Sequence, residues 1–176
     1  TEGQRAGEIV QSLRALTKNT KAVLVVLDIH DVLQHILAIA RSEIERRHVS
    51  LVLQLDAQLS DIRGDMVQLQ QVMLNLIMNA IEAMSEVTDR PRVLTISTFT
   101  EDDQAISIWV EDTGPGISEE TKARLFDAFY TTKKDGMGMG LTICQSIVEN
   151  HGGRLSAEAR LEVGTVFSFC LPLVKD

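Results

Sequence analysis

Cysteine, positive charge and long apolar runs are all scarce in this sequence of 176 residues. The two cysteines, Cys144 and Cys170, have no closely spaced cysteine or histidine partners, which argues against a zinc site or a disulfide framework and favours buried thiols in a reducing compartment. The formal net charge of −8 argues against a nucleic-acid partner, because neutralising phosphates requires a basic surface. Any phosphate-bearing ligand must therefore meet positive charge locally.

The apolar segments are also too short for a membrane span of roughly 20 residues, and no signal peptide pattern opens the chain. The length suits one well-buried domain with a short appendage. We expect a cytoplasmic domain, and the sequence leaves open whether the full-length protein is attached to the inner membrane.

Helical and strand-like periodicities alternate along the chain without an internal repeat. The patterns predict helices over residues 3–18, 28–48, 65–84, 119–126 and 141–150, the second capped by Asp28. They predict strands over residues 22–29, 49–55, 92–99, 105–111, 154–159 and 164–173, and a turn-rich connection at 60–65. This order favours an α+β fold, a two-layer α/β sandwich with helices on one face of a mixed, mostly antiparallel sheet.

From Leu69 to Met84, nearly every position of the helix predicted at 65–84 is apolar apart from one narrow polar stripe. Asparagine is a poor helix former, so Asn75 and Asn79, four residues apart on this stripe, need a specific reason. Their side-chain carbonyls are hard, neutral oxygen ligands that suit Mg²⁺, although they could instead satisfy buried backbone groups. The stripe consists of Gln68, Gln71, Asn75, Asn79 and Glu82.

The stretch DTGPGI places Asp112 at the end of a predicted core strand. An ionised carboxylate only accepts hydrogen bonds, so it would match the exocyclic amino group of adenine and repel the carbonyl oxygen of guanine. Gly114 and Gly116 would let the backbone approach a flat ring closely. The alternative is an ordinary Asp-Gly turn.

Two further segments indicate a phosphate site. GMGMGL, residues 136–141, opens a predicted helix whose N-terminal amides can bind phosphate oxygens, although this pattern alone is weak evidence. The preceding segment KARLFDAFYTTKKDG carries local positive charge, and the glycines around it suit a mobile lid. The basic residues are Lys122, Arg124, Lys133 and Lys134.

Five stretches, NLIMNAIEAM, DTGPGI, LFDAFYTTK, GMGMGL and GTVFSF, resemble in order and spacing the motifs of sensor histidine kinase catalytic domains. These belong to the ATPase class with the Bergerat-type fold that includes gyrase B, Hsp90 and MutL, and the resemblance covers residues 21–174. NAIEAM and FYTTK are closest to nitrogen- and oxygen-responsive kinases of the NtrB and FixL type. The resemblance implies ATP and Mg²⁺ as cofactors, residues 1–20 as the end of a dimerisation helix and residues 21–176 as the catalytic domain.

The resemblance also assigns residues to the site. It implies catalytic roles for Asn75 and Lys133, Mg²⁺ coordination by Asn79, and a lid anchored by Phe126 and Phe129. The implied nucleotide-binding residues are Asn75, Asn79, Asp112, Gly114, Gly116, Ile117, Phe126, Thr132, Lys133, Gly136, Gly138, Gly140, Leu141 and Thr165.

Asn75 stands where hydrolysing members of the class carry a glutamate general base. An amide cannot take a proton from water, so the resemblance favours transfer to a histidine, which already has a free lone pair near pH 7. The implied partners are the chain's own dimerisation and phosphoacceptor domain and a response regulator, in a full-length homodimer. A serine kinase of the anti-sigma type and a non-enzymatic nucleotide-binding switch are the alternatives.

None of the four histidines has the sequence surroundings expected of the phosphoacceptor. His30 is followed by an acid, as family acceptors usually are, but it lies too close to the asparagine helix, and we expect it on a helix surface. We expect His35 and His48 to be solvated, and His151 to end a helix and be stabilised by its dipole. The acceptor is therefore expected to lie outside this chain.

Overall fold

The computed structural model describes residues 23–58, 60–101, 103–132, 136–160 and 163–174, so the helix predicted at 3–18 lies outside the described residues. Within these ranges, no helix is both long and apolar enough to cross a membrane. The strands are β1 (Val25–Asp28), β2 (Ser50–Leu55), β3 (Asp61–Gly64), β4 (Val93–Glu101), β5 (Ala105–Asp112), β6 (Arg154–Ala159) and β7 (Thr165–Pro172). The helices are α1 (Ile29–Arg46), α2 (Met66–Ala83), α3 (Glu119–Arg124) and α4 (Gly140–Asn150).

The main sheet has five strands in the order β2-β4-β5-β7-β6, and only the β2–β4 pair is parallel. Helices α1, α2 and α4 pack side by side on one of its faces. Along β5, Ile106, Ile108 and Val110 are buried beneath them, whereas Trp109 on the opposite face is 37% exposed. The predicted fold class and the predicted alternation of β5 are therefore confirmed.

Helix α2 lies in the middle of the helical layer, between α1 and α4. Full burial of an aliphatic side chain contributes about 1.5–3 kcal/mol, so the apolar surface of α2 is a major source of stability. The stripe residues, by contrast, are all half-buried or exposed. The buried side chains of α2 are Leu69, Val72, Met73, Leu76, Ile77, Ala80 and Ile81.

Aspartates fix the starts of the two long helices. The Asp28 carboxylate accepts the His30 N–H at 2.8 Å at the start of α1. At the start of α2, the Asp65 carboxylate accepts two backbone N–H groups, at 3.0 and 3.1 Å. Both are N-caps that satisfy amides lacking a partner in the first turn, and the cap predicted at Asp28 is confirmed.

The segment 60–65 differs from the predicted turn-rich connection. Asp61–Gly64 forms β3, which pairs with β1 in a separate antiparallel two-stranded sheet. Ile62 is buried and also forms a bridge with Leu173 near the end of the described chain. One apolar residue among charged residues and glycine gives no alternation, so only long-range pairing reveals this strand.

Two predictions about exposure were wrong. His30 does not lie on an open helix surface: its side chain is 19% exposed, and Nε2 is 2.9 Å from Thr98 Oγ1 on the sheet. Cys144 is buried as predicted, but Cys170 is only half-buried. In β7, Phe169 and Leu171 point into the core, so the intervening Cys170 points to the opposite face of the sheet.

His151 joins the ends of two helices, and this contact is absent from the sequence prediction. The ring is buried at the end of α4, where Nδ1 lies 2.7 Å from the Ile147 carbonyl oxygen. The Asp65 N–H donates to Nε2 at 3.0 Å. Because a carbonyl only accepts and an N–H only donates, the ring is the neutral tautomer protonated at Nδ1. His151 thus ends α4 as predicted, and its ring also bridges the ends of the two helices.

We expect His151→Leu to lower the free energy of unfolding by roughly 1–3 kcal/mol, because the part-buried Asp65 N–H loses its acceptor and the Ile147 carbonyl keeps only the backbone N–H of residue 151 as a donor. Urea unfolding followed by circular dichroism measures the loss. His35→Leu is the matched control, since His35 Nδ1 also lies 2.7 Å from the carbonyl four residues earlier, but on an exposed surface. Equal losses in the two variants would contradict the bridging role of His151.

Candidate functional site

The asparagine pair on α2 faces the first turn of α4. Asn79 Nδ2 donates to Asn75 Oδ1 at 3.3 Å, as expected for residues four apart on a helix. Gly140, the first residue of α4, packs directly against the Asn75 amide: a Cβ there would lie 2.7 Å from Asn75 Nδ2. Glycine at this position thus lets the two helices approach at the asparagine pair.

The first turn of α4 has no side-chain cap. Met139 stands at the N-cap position and makes no side-chain hydrogen bond to the helix amides. In the two long helices, by contrast, an aspartate occupies this place. The N-terminal amides of α4 therefore lie beside the asparagine pair with no carboxylate from the cap, an arrangement that suits an anionic group.

Asp112 ends β5 and is only 1% exposed. Its Oδ1 accepts the Gly114 N–H at 2.7 Å and the Thr165 N–H at 3.3 Å. Both hydrogen bonds that the described residues donate to this carboxylate end on the same oxygen. Among the described residues, Oδ2 receives no such hydrogen bond, so it can accept one from a ligand.

Burial raises the pKa of the Asp112 carboxyl from 3.8 to about 6. The two backbone donors and the Arg160 guanidinium act in the opposite direction, but burial is the larger effect. The carboxyl is therefore mostly ionised at pH 7 although it lies in the interior.

Gly164 brings the β6–β7 turn against Asp112, a contact that the sequence prediction missed. It has φ +111°, and a Cβ on it would overlap the Asp112 carbonyl oxygen. The Gly164 carbonyl oxygen in turn lies against Gly116, where an added Cβ would be 3.2 Å away. The signal was present in the sequence, since Gly164 directly precedes Thr165 in the GTVFSF stretch.

Hydrogen bonds to backbone carbonyls hold the described parts of the connection between α3 and α4. Thr142 in α4 donates its hydroxyl to the Phe126 carbonyl at 3.2 Å, and the Phe129 N–H donates to the Gly138 carbonyl at 3.0 Å. Of the two phenylalanines expected to anchor the lid, Phe126 is partly buried against the core, whereas Phe129 is 73% exposed at φ +67°. Thr142 was not predicted, and a hydroxyl in the first turn of a helix gives no distinctive signal.

The predicted site residues fall into two groups around α2, and Gly114 connects them by packing against Ala83 at the end of this helix. The remaining apolar members, Ile117 and Leu141, are partly buried against the core. Thr132 and Gly136 are exposed, and Lys133 lies outside the described residues. The group at the start of α4 consists of Asn75, Asn79, Gly138 and Gly140, and the group around Asp112 consists of Asp112, Gly114, Gly116 and Thr165.

The chemistry of the asparagine pair fits a magnesium ion shared with phosphates. Amide oxygens are hard ligands without charge, and Mg²⁺ in nucleotide sites typically takes few protein ligands, several waters and phosphate oxygens. Within the part of the chain that the structure describes, no cluster of three or more histidine, cysteine, aspartate or glutamate side chains could hold a metal. A cation at this site would therefore depend on the phosphates for negative charge.

The chain is similar in sequence to a family of ATPases and to sensor histidine kinases. The family model of histidine kinase-, DNA gyrase B- and HSP90-like ATPases matches residues 64–175. The sensor histidine kinase TmoS of Ectopseudomonas mendocina is 39% identical over 173 residues, which are 98% of this chain and 18% of TmoS. The sensor protein FixL of Bradyrhizobium diazoefficiens is 38% identical over 172 residues, which are 98% of this chain and 34% of FixL.

Solved structures show the same architecture. The catalytic domain of the histidine kinase ThkA superposes with a TM-score of 0.76 at 29% identity, covering 85% of this chain and 95% of that domain. In ThkA bound to the response regulator TrrA, the TM-score is 0.82 at 26% identity, with 98% of this chain and 48% of ThkA covered. The chain spans less than two fifths of the length of the curated relatives. By the match to its family model and by its fold, the chain belongs to the histidine kinase-, DNA gyrase B- and HSP90-like ATPases.

Proposed function

We propose that this chain is the ATP-binding catalytic domain of a sensor histidine kinase, which transfers the γ-phosphoryl group of ATP to a histidine on a dimerisation domain. The observation that carries the proposal is Asp112, a buried carboxylate whose Oδ1 is held by two backbone donors while Oδ2 remains for a ligand. The asparagine pair lies on α2 beside the start of α4, and Gly114 packs against Ala83 at the end of the same helix. The base-binding group at the end of β5 and the phosphate-binding group at the start of α4 thus both border α2.

In the proposed complex, Asp112 Oδ2 accepts a hydrogen bond from the adenine amino group. Guanine would place a carbonyl oxygen there, opposite a negative charge in a buried site, where an unpaired polar contact is most costly. Gly114, Gly116 and Thr165 supply the backbone that borders the ring. Ile117, at the end of DTGPGI, packs its apolar side chain against the base in this complex.

The phosphates lie against the start of α4 in this proposal. Asn79 holds Mg²⁺ through its amide oxygen, Asn75 positions the phosphate chain, and the amides of Gly138, Gly140 and Leu141 approach the phosphate oxygens. Bound Mg²⁺ supplies neutralisation of phosphate charge. Gly136, Thr132 and Lys133 come from the segment ahead of α4, and Phe126 ties that segment to the core.

Asn75 decides between transfer and hydrolysis. An amide cannot act as general base towards water, so ATP that is bound here should be hydrolysed slowly. A neutral histidine needs no such base, and its phosphorylation depends on positioning and on charge neutralisation. Residues 1–20 are proposed to end a dimerisation helix, residues 21–176 to form the catalytic domain, and the full-length protein to act as a homodimer in the cytoplasm or on the inner membrane. A response regulator is the proposed downstream partner, as TrrA is for ThkA in their complex.

With radiolabelled ATP and Mg²⁺, this chain should label an added dimerisation hairpin that carries a histidine, and the label should be lost in acid. We expect Asn79→Ala to slow the transfer at least about 100-fold, because the phosphate charge is no longer neutralised in place. Acid-stable label would favour a serine kinase, and tight nucleotide binding without transfer would favour a switch. Stoichiometric labelling of this chain alone would contradict an acceptor outside it.

Calorimetric titration should show that Mg-ATP binds at least about 100-fold more tightly than Mg-GTP, since the site is built around one acceptor atom. In Asp112→Asn the two backbone donors retain the side-chain oxygen, which turns the new NH₂ towards the adenine amino group. Two donors then face each other, and ATP affinity should fall by a similar factor. Equal affinities of the parent protein for both nucleotides would contradict the assignment of the base.

The charge of Asp112 should lower the stability of the nucleotide-free protein. Its folded-state pKa near 6 exceeds the value of 3.8 without burial, so protonation stabilises the fold fully below pH 3.8, and this contribution is lost as the pH rises through 6. Relative to the parent, Asp112→Asn should therefore gain about 2–3 kcal/mol in free energy of unfolding between pH 4 and pH 7. Urea unfolding across this range measures the difference, and a difference that does not change with pH would refute it.

A further inference from the structure

Arg90 contacts the turn that follows Asp112. It belongs to the connection between α2 and β4, and its side chain is 29% exposed. Nε donates to the Thr113 carbonyl at 2.9 Å and Nη2 donates to the Gly114 carbonyl at 3.2 Å. Nη1 pairs with Asp89 at 3.0 Å. One guanidinium fork therefore grips two consecutive carbonyl groups of the DTG turn, and no motif in the sequence pointed to it.

The grip on Thr113 determines where the next N–H points. The Thr113 carbonyl and the Gly114 N–H belong to the same peptide group, which is planar and trans. In a trans peptide these two bonds point in opposite directions. By holding the Thr113 oxygen, Arg90 turns the Gly114 N–H towards Asp112 Oδ1, which it meets at 2.7 Å.

The same connection holds the turn at a second point. The Thr113 hydroxyl accepts the Val93 N–H at 2.9 Å and donates to the Pro91 carbonyl at 2.8 Å. Gly114 has little room to move, because a Cβ on it would lie 2.7 Å from Asp112 Oδ1 and 3.2 Å from Ala83. Small rotations of this peptide would therefore change the hydrogen bond to the carboxylate.

We propose that Arg90 is a positioning residue for nucleotide specificity: it orients the Thr113–Gly114 peptide, so that Asp112 Oδ1 is held by the backbone and Oδ2 faces the base. The proposal rests on the proposed role of Asp112 in recognising adenine. Arg90 itself does not touch the nucleotide. Without the fork, only the Thr113 hydroxyl holds this turn, a small rotation of the peptide lengthens the hydrogen bond from the Gly114 N–H to the carboxylate, and the discrimination between adenine and guanine weakens.

Arg92 provides a matched control two residues away. Its Nε donates to the Val87 carbonyl at 3.0 Å and Nη1 donates to the Arg47 carbonyl at 2.9 Å. Both arginines thus link the α2–β4 connection to backbone carbonyls through the same chemistry. Neither acceptor of Arg92 belongs to the DTG turn, so Arg92→Met reports the purely structural cost of losing two such hydrogen bonds.

The test compares the affinities of Arg90→Met, Arg90→Lys and Arg92→Met for Mg-ATP and Mg-GTP by calorimetry, with urea unfolding of each variant. We expect Arg90→Met to weaken Mg-ATP binding about 10- to 100-fold and to narrow the ATP-to-GTP affinity ratio about tenfold. Arg92→Met should lower the urea midpoint similarly but leave the ratio within about threefold of the parent. The ATP-to-GTP affinity ratio of Arg90→Lys should lie between those of the parent and Arg90→Met, because an ammonium group can hold one carbonyl but not both.

The outcomes separate this inference from the proposed function. The positioning role would be overturned if Arg90→Met kept the ATP-to-GTP affinity ratio of the parent protein. It would also be overturned if Arg92→Met narrowed this ratio as much as Arg90→Met does. If Arg90→Met shows no cooperative unfolding transition, the ratio measured for Arg90→Lys decides in its place: a narrowed ratio supports the role and an unchanged ratio overturns it. If Asp112→Asn bound Mg-ATP as tightly as the parent, this would instead contradict the proposed recognition of adenine by Asp112, on which the role of Arg90 depends.

Discussion

Burial of α2 on three sides is the constraint on which the rest of the structure depends. The helix packs against α1, α4 and the sheet, and apart from Gln70 its polar residues are confined to one stripe. Amide groups on this stripe therefore face the start of α4, where Gly140 allows the two backbones to approach. The packing that stabilises the domain and the geometry of the asparagine pair are thus the same feature.

A charge in the interior is the second constraint. Burial raises the pKa of Asp112 to about 6, and ionisation at neutral pH opposes folding. The surroundings compensate only in part, with two backbone donors on one oxygen and the Arg90 fork behind one of these donors. Leaving one oxygen of a buried carboxylate for a ligand lowers stability but favours binding, which is a common compromise at functional sites.

Sequence reasoning succeeded where neighbouring residues determine the structure and failed where a residue far away in the chain determines it. The four helices of the described residues, the β4–β5 hairpin and the Asp28 cap follow from periodicity and from capping chemistry, which act within a few residues. Strand β3 was missed because it forms only by pairing with β1. The position of His30 was predicted wrongly because its ring lies within hydrogen-bond distance of Thr98, which is 68 residues away on the sheet.

The sequence by itself determined the two-layer α+β class, the polar stripe of α2 and the position of Asp112 at a strand end, because side-chain periodicity and turn chemistry are written into neighbouring residues. The tertiary structure alone decided which oxygen of Asp112 is engaged, that His151 is a neutral bridge between two helices, and that Arg90 grips the turn. Each of these contacts joins residues more than 20 positions apart. Their energies depend on the direction and distance of a hydrogen bond, and neither quantity exists until the helices and the sheet have packed.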